Sequence, residues 1–361
     1  MSGRVVGTAG NPTRHAADSA EGTTRAAAIT GAMLVLAGAV ATLGGSVRHS
    51  PPTAALPTPG FHHLHLNSVN PEAAIAFYAA QFPSTVATTF AGQSALRSPN
   101  NVLLLFNQVD APPATQPQTA FWHFGWHVTD VRVSLARYRQ RGVTLLPLYT
   151  GDAGGTVSVN SDTWPGSGGV LGLTLAGIAD AKAKGVRPVG GAGFSYLRGP
   201  DDALVEYQGN MPIERFNHVH MFQDQPYCAQ LWYEIHLRVP PAVAPGQPPR
   251  SMADCRVERG PDRTFPALEW EGMYRTGRVT STTFGDVTFS WYMNQSGRPA
   301  ASTQGHVMDH VALRVSDLDP WVGELRSAGV AFLGRPHTVG SYRAVMIEGP
   351  SREAIELIEV K

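Results

Sequence analysis

Histidine residues recur in four strand-like segments of this chain, and their spacing is typical of a metal-binding or acid–base site. The segments cover residues 61–66, 121–127, 216–221 and 308–313. In the first segment His63 and His65 alternate with Leu64 and Leu66, so a strand would carry the imidazoles on one face and the leucines on the other. A neutral imidazole binds divalent transition metals and titrates near neutral pH. The segments therefore predict sheet faces lined with imidazoles.

Internal repetition relates these histidines to one another and to two glutamates. When the sequence is aligned with itself at a fixed offset, blocks of matching residues coincide. The matching pairs are His63 with His218, His123 with His310, and Glu206 with Glu356, each glutamate following a Gly-Pro pair. The order histidine, histidine, glutamate therefore occurs twice. Repetition of this kind indicates repeated structural units, so it predicts the architecture as well as the chemistry.

Each histidine segment leads into a helix or a helix-like pattern and then into short strands. Apolar residues at helical spacing predict helices over 71–82, 131–141 and 318–328, the first opened by Pro71 and the other two ended by Gly142 and Gly329. Runs typical of strands follow at 102–106, 203–207, 287–292 and 354–359. The fold class predicted is α+β, with four βαβββ units.

Units adjacent in sequence are expected to pair as two tandem domains, one over 61–210 and the other over 216–361. A Gly-rich insertion at 151–193 lengthens the second unit, and a Pro-rich insertion at 239–266 lengthens the third. Long insertions commonly border a functional site, so we expect both to lie near a cavity.

The overall charge excludes one class of partner. The 361 residues include 28 basic and 28 acidic side chains, for a formal net charge of +0. Without an excess of positive charge the chain offers no general attraction to nucleic acid. The expected partner is a small-molecule substrate.

Residues 1–50 are predicted to be an export signal or membrane anchor region. Arg4, Arg14 and Arg25 precede an uncharged stretch at 26–45 that is rich in Ala, Leu, Val and Gly. Cleavage near residues 39–41 would release an exported protein, periplasmic or extracellular, whereas an uncleaved stretch would anchor it to the membrane. A cytoplasmic protein with a disordered tail is the third interpretation. Residues 51–60 form a Pro-rich linker.

The two cysteines, Cys228 and Cys255, are interpreted as structural. Their spacing is not that of a C-x-x-C metal or redox motif. In an oxidising compartment they could form a disulfide, but the sequence does not place them within bonding distance.

Two histidines and one carboxylate on facing strands would form a 2-His-1-carboxylate facial triad for Fe, Mn, Zn or Ni, with coordination positions left for substrate. Following sequence order, the predicted triads are His63, His123 and Glu206 in the first domain and His218, His310 and Glu356 in the second. His65 and His220 each lie two residues beyond a predicted ligand, on the same face of the strand. They are predicted to transfer protons or to line a wet cavity.

The repeated unit resembles the vicinal oxygen chelate superfamily, which includes glyoxalase I, extradiol dioxygenases, epimerases, and fosfomycin- and bleomycin-resistance proteins. The resemblance extends over residues 60–361, and residues 309–318 are very similar to the usual strand-to-helix motif. It implies a divalent-metal enzyme acting on a small substrate with vicinal oxygens. Glyoxalase I-like sites take a carboxylate from every unit, but the runs 102–106 and 287–291 contain none. The resemblance therefore favours an extradiol-type dioxygenase over a glyoxalase-like lyase or isomerase, and a non-catalytic small-molecule-binding protein is the alternative outside enzymes.

The extradiol pattern is incomplete in both halves of the chain. That family has a tyrosine shortly before the glutamate and a histidine further upstream. Tyr196 fits the tyrosine position in the first half, and His337 fits the histidine position in the second, where Met346 replaces the tyrosine. The resemblance implies that His65 or Tyr196 would transfer protons in the first domain and His220 or His337 in the second.

Overall fold

Four successive segments of the chain fold as strand–helix–strand units in a computed structural model. It describes residues 56–146, 149–151, 157–162, 164, 175–186, 193–209, 211–241, 250–257, 273–274, 279–294 and 298–361. Unit 1 contains β1 (Gly60–Ser68), α1 (Pro71–Gln81), β2 (Val86–Phe90), β3 (Gln93–Arg97) and β4 (Leu103–Gln108). Unit 2 contains β5 (Phe121–His127), α2 (Val131–Gln140), β6 (Leu145–Leu146), β7 (Tyr149–Gly151), β8 (Val157–Val159), α3 (Leu175–Ala183), β9 (Phe194–Arg198) and β10 (Leu204–Gln208). Unit 3 contains β11 (Arg215–Gln223), α4 (Pro226–Leu237), β12 (Met273–Tyr274), β13 (Val279–Phe284) and β14 (Val287–Met293). Unit 4 contains β15 (Met308–Val315), α5 (Leu318–Ser327), β16 (His337–Val339), β17 (Tyr342–Glu348) and β18 (Ala354–Glu359).

The predicted α+β class and the repeated unit are confirmed. Helix α1 begins at Pro71, with the Asn70 side chain accepting a hydrogen bond from the backbone N–H of Ala73. Helices α2 and α5 are followed by Gly142 and Gly329 at φ of +69° and +74°, a backbone conformation that costs glycine little. Local sequence therefore determined where the helices begin and end.

The strands assemble into two large sheets that do not follow sequence order. In the first sheet the order is β16-β17-β18-β15-β1-β4-β3-β2, so unit 1 joins unit 4. In the second the order is β13-β14-β11-β5-β10-β9-β6, so unit 2 joins unit 3. The prediction that sequence-adjacent units share a sheet is wrong. Alternating side chains specify which face of a strand is buried, but the edge to which another strand adds is not encoded in that pattern.

The apolar faces of both sheets contribute to one large core. Phe61 of β1 stacks on Phe216 of β11 with ring centroids 5.5 Å apart, which joins the first sheet to the second. Leu64 and Phe124 on the same faces are fully buried. The opposite faces carry the histidines, as the alternation predicts.

The insertions are only partly described. Strand β7 ends where the Gly-rich insertion begins, and β8 lies within that insertion. Both form a small three-stranded sheet with β12, which follows the Pro-rich insertion, in the order β12-β7-β8. A disulfide joins Cys228 of α4 to Cys255, although the sequence left this pairing open. The Arg250 guanidinium lies 3.6 Å from the ring centroid of Tyr227. This part of the second insertion is therefore tied to α4.

The predicted signal or anchor at 1–50 and most of the linker at 51–60 lie outside the described residues. Among the described helices, none has the length and hydropathy needed to cross a membrane.

A buried carboxyl group connects unit 3 to unit 4. Glu353 is fully buried and accepts hydrogen bonds from the Tyr233 hydroxyl at 2.7 Å, from the Gln223 side-chain amide at 3.0 Å and from the Ser351 backbone N–H at 2.8 Å. Burial raises the pKa of Glu353. These bonds compensate for the removal of the carboxyl group from water.

Replacing Tyr233 by Phe is expected to lower the free energy of unfolding by about 1–2 kcal/mol, because one hydrogen bond to a buried carboxyl group is lost. Urea unfolding of the two proteins measures the difference. Tyr78→Phe is the matched control, since the repeat places Ala203 where Glu353 would stand. Equal losses in the two variants would contradict the role of Glu353.

Candidate metal centres

Four side chains of the second sheet converge to form what we call the Glu206 cluster. Its members are His123 on β5, Glu206 on β10, and His218 and His220 on β11. One ligand atom from each lies within 4.8 Å of all the others. The Glu206 carboxylate oxygen Oε2 is 2.9 Å from Nε2 of His123, 3.7 Å from Nε2 of His218 and 3.9 Å from Nδ1 of His220. The carboxylate is thus the common centre of three imidazoles.

Strand register explains this convergence. His218 on β11 lies opposite Gly125 on β5, and Gly125 lies opposite Glu206 on β10. Because Gly125 has no side chain, the imidazole and the carboxylate on either side can meet above it. His220 lies opposite His123 in the same ladder.

A Gly125→Ala substitution is expected to weaken metal binding at the Glu206 cluster at least tenfold. A Cβ at this position would overlap the His218 imidazole and lie 2.9 Å from the Glu206 backbone oxygen, so the ring must move. Displacing an oriented ligand should lower the metal affinity at least as much as losing a contact that supports the ligand does, typically ~10–100-fold. Calorimetric titration with a divalent metal measures the change.

The matched control is Gly323→Ala on α5, where an added Cβ meets no atom within 4 Å. Unchanged affinity in the Gly125 variant would mean that His218 does not bind the ion.

The imidazoles of this cluster are held neutral. Burial lowers the pKa of His123, His218 and His220 well below the ordinary value. Nδ1 of His218 lies 2.9 Å from the Asn217 side-chain oxygen, which assigns the proton to Nδ1 and leaves the lone pair on Nε2. Among the described residues no hydrogen-bond partner meets Nε2 of His123, Nε2 of His218 or Nδ1 of His220.

Aromatic side chains surround the Glu206 cluster. Tyr196 on β9 lies opposite Glu206, and its ring centroid is 5.2 Å from that of His123. Burial and the neighbouring Glu206 raise the pKa of Tyr196 well above its ordinary range, so the hydroxyl stays protonated. The Trp122 ring contacts His123 at 4.1 Å between centroids, and Tyr292 lies 5.2 Å from His220. The position of Tyr196 beside Glu206 agrees with the sequence-based expectation.

The first sheet forms a second group, which we call the His310 cluster. Its members are His63 and His65 on β1 and His310 on β15, with ligand atoms within 4.8 Å of one another. Glu356 on β18 is close to this group, with Oε2 3.6 Å from Nε2 of His63. The other oxygen of Glu356 is 3.3 Å from Nε2 of His337.

Neighbouring side chains orient the imidazoles of the His310 cluster. Asp309 places Oδ1 2.7 Å from Nδ1 of His310 and accepts a hydrogen bond from Asn67 through Oδ2 at 3.0 Å. His62 approaches Nδ1 of His63 at 2.8 Å. Burial, with His310 as the next cause, lowers the pKa of His65 to about 3. Carboxylate support of this type fixes the tautomer of a metal-binding histidine.

Five of the six predicted ligands lie in these two groups and Glu356 lies beside the second, but the predicted division between the groups is wrong. His123 and Glu206 lie with His218, not with His63, and His63 and Glu356 lie with His310. The cause is the pairing of β1 with β15 and of β11 with β5.

Gly125, Asn217 and Asp309 were not among the predicted site residues. Each had a signal in the sequence. Gly125 is the counterpart of Ala312, the small residue opposite His63, while Asn217 and Asp309 each directly precede a predicted ligand.

The donor sets fit a divalent transition metal. Imidazole nitrogens grouped near a carboxylate in a buried setting are ligands that Fe, Mn, Zn and Ni accept, and in the Glu206 cluster these nitrogens have no hydrogen-bond partner among the described residues. Without an ion, each buried nitrogen would cost free energy as an unsatisfied polar atom.

Comparison with known proteins relates one part of the chain to a family and the fold to solved structures. Residues 252–357 match the family model described as Glyoxalase/Bleomycin resistance protein/Dioxygenase superfamily. Glyoxalase I from Zea mays is a structural relative at 13% identity, with a TM-score of 0.54, covering 84% of this chain and 92% of that one. A putative dioxygenase from Bacillus subtilis subsp. subtilis str. 168 is similar at 12% identity and a TM-score of 0.48, covering 84% and 86%. No curated protein sequence matches significantly.

The chain therefore has a vicinal oxygen chelate fold, similar to that of glyoxalase I, and its residues 252–357 match the Glyoxalase/Bleomycin resistance protein/Dioxygenase superfamily.

Proposed function

We propose that this protein is a divalent-metal-dependent enzyme acting on a small molecule with two adjacent oxygen atoms, and that the Glu206 cluster is its principal site. The supporting observation is the set of buried imidazole nitrogens that surround a single carboxylate and have no hydrogen-bond partner among the described residues. A bound divalent ion would supply Lewis-acid stabilisation of negative charge on a substrate oxygen.

The residues of the chain have distinct roles in this proposal. His123, His218 and Glu206 would hold the ion, and Asn217 would keep the His218 lone pair directed at it. Tyr196 would orient the Glu206 carboxylate and transfer protons beside it, because its hydroxyl is hydrogen-bonded to Glu206 and its raised pKa keeps the proton on the hydroxyl. Trp122 and Tyr292 would exclude water from one side of the site.

Two reaction classes remain compatible with these residues. An extradiol-type dioxygenase is favoured by Tyr196, which lies beside the glutamate as the resemblance implies. A glyoxalase-like isomerase or lyase is favoured by the number of imidazoles that face Glu206. The His310 cluster has Met346 opposite Glu356 and lacks this tyrosine.

Export is part of the proposal. The uncharged stretch at 26–45 behind three arginines supports a signal or anchor, and the disulfide between Cys228 and Cys255 supports an oxidising compartment.

Elemental analysis of the full chain, purified anaerobically without chelator, tests the proposal. About two equivalents of metal are expected, one for each cluster. Oxygen uptake with catechols would assign the dioxygenase class, whereas its absence together with turnover of α-hydroxycarbonyl compounds would assign the isomerase or lyase class. If the protein contains no metal and takes up none of Fe, Mn, Zn or Ni, the proposed function is wrong.

A further inference from the structure

His220 occupies a position that the predicted role of lining a wet cavity does not explain. Its ring stacks on His218 with centroids 4.2 Å apart and lies 4.5 Å from His123. The Nδ1 atom faces Glu206 Oε2 at 3.9 Å and has no hydrogen-bond partner among the described residues. The side chain is 14% exposed. An imidazole lining a wet cavity would direct its ring nitrogen to solvent, whereas this nitrogen is directed at the carboxylate.

We propose that His220 is a fourth protein ligand of the Glu206 cluster, binding the ion through Nδ1. Its ligand atom lies within 4.8 Å of those of His123, His218 and Glu206, and its Nδ1 is 3.9 Å from Glu206 Oε2, close to the 3.7 Å of His218 Nε2. The cluster is therefore a three-histidine, one-carboxylate site. This inference rests on the proposed function, because it assumes that the cluster binds a metal.

The strand register explains why a second imidazole of β11 can reach the same point. His220 lies opposite His123 across the β11–β5 ladder, and a register irregularity separates this pair from Met221 and Phe121. His218 and His220 then lie on one face, two residues apart, with their rings tilted by only 21°. Both rings can thus direct a nitrogen to the space beside Glu206.

The number of protein ligands discriminates between the two reaction classes. A six-coordinate ion held by three protein ligands has three positions left, enough for both oxygens of a chelating substrate and one further small ligand. With four protein ligands it has two positions left, enough for the chelating substrate alone. An extradiol-type dioxygenase, in which the ion would hold both the chelating substrate and O2, needs the former arrangement, whereas an isomerase or lyase needs only the latter. Ligation by His220 therefore directs the Glu206 cluster towards isomerase or lyase chemistry.

Cobalt(II) substitution of the full-length protein tests the inference by a readout other than activity. The visible absorption of Co(II) reports the number and type of its ligands. Spectra are recorded for the wild type and for His220→Ala, and their difference isolates the affected site. The expected result is a changed Co(II) spectrum, at least tenfold weaker Co(II) binding at one of two sites, and recovery of the wild-type spectrum on addition of imidazole. His127→Ala is the matched control, since His127 is on the face of β5 that carries His123 but is outside the cluster.

The outcomes separate this inference from the proposed function. If Co(II) binds to two sites and the His220→Ala spectrum equals that of the wild type, His220 is not a ligand and the inference is wrong, while the metal site stands. If His123→Ala binds as much Co(II) as the wild type, the Glu206 cluster is not a metal site and the proposed function is wrong as well. Should the alanine variant lose its folded circular dichroism spectrum, His220→Gln, which retains much of the side-chain volume, is compared in the same way.

Discussion

The double variant His123→Ala/His218→Ala is expected to retain one equivalent of divalent metal, whereas His63→Ala/His123→Ala should retain none. In the first variant both losses fall on the Glu206 cluster, so the His310 cluster keeps its ligands. In the second, each cluster loses one imidazole. Removing a ligand from a site with so few donors should abolish stoichiometric binding. Elemental analysis after dialysis measures the retained metal.

This pair of variants discriminates between the two ways of grouping the ligands. If the ligands were grouped by sequence order, His63 and His123 would share a site, and the outcomes of the two variants would be exchanged. The variant His63→Ala/His310→Ala supplies the matched control, since it should also retain one equivalent, held by the Glu206 cluster. Retention of two equivalents by any of these variants would contradict the assignment of the clusters as metal sites.

Replacing both Cys228 and Cys255 by Ser is expected to lower the free energy of unfolding by about 3 kcal/mol. The disulfide closes a loop of sequence separation 27, and its removal restores conformational freedom to the unfolded chain. The comparison is made by urea unfolding under oxidising conditions. Residues 250–257 should also become more sensitive to protease, because the disulfide ties them to α4.

Treatment of the wild type with reductant is the control for this prediction, since it should reproduce the lower stability without any substitution. The double serine variant itself should not respond to reductant. Equal stability of the oxidised wild type and the double variant would show that the disulfide does not stabilise the fold. It would also remove the support that the disulfide lends to an oxidising compartment.

Local features of the sequence were sufficient to predict the helices and strands of the fold. Pro71 and Gly142 mark helix termini because their backbone preferences are intrinsic to the residue, and β18 covers the predicted run 354–359 without change. The six residues could be predicted as candidate ligands because a repeated pattern of chemically reactive residues is visible without knowledge of their contacts. The disulfide could not be predicted, because the positions of two cysteines in the sequence carry no information on the distance between them.

The sequence pattern did not predict which strands pair with one another. His63 lies opposite Ala312 of β15, and His218 lies opposite Gly125 of β5, across distances in the chain that no local rule covers. The role of Gly125 follows only from that register, because its lack of a side chain matters only once His218 and Glu206 lie on either side of it. The same holds for His220, whose Nδ1 faces Glu206 only in the assembled sheet.

The sequence by itself determined the four units, the buried and histidine-bearing faces of their strands, and the residue types that can bind a metal. These properties depend on side-chain chemistry and on periodicities of 2 and 3.6 residues, which are local. Only the tertiary structure decided that unit 1 joins unit 4 and unit 2 joins unit 3, and hence which histidines share a carboxylate. The packing of the whole core determines which strands pair. The backbone hydrogen bonds between two strands do not depend on the identity of the strands, so they cannot specify the partner.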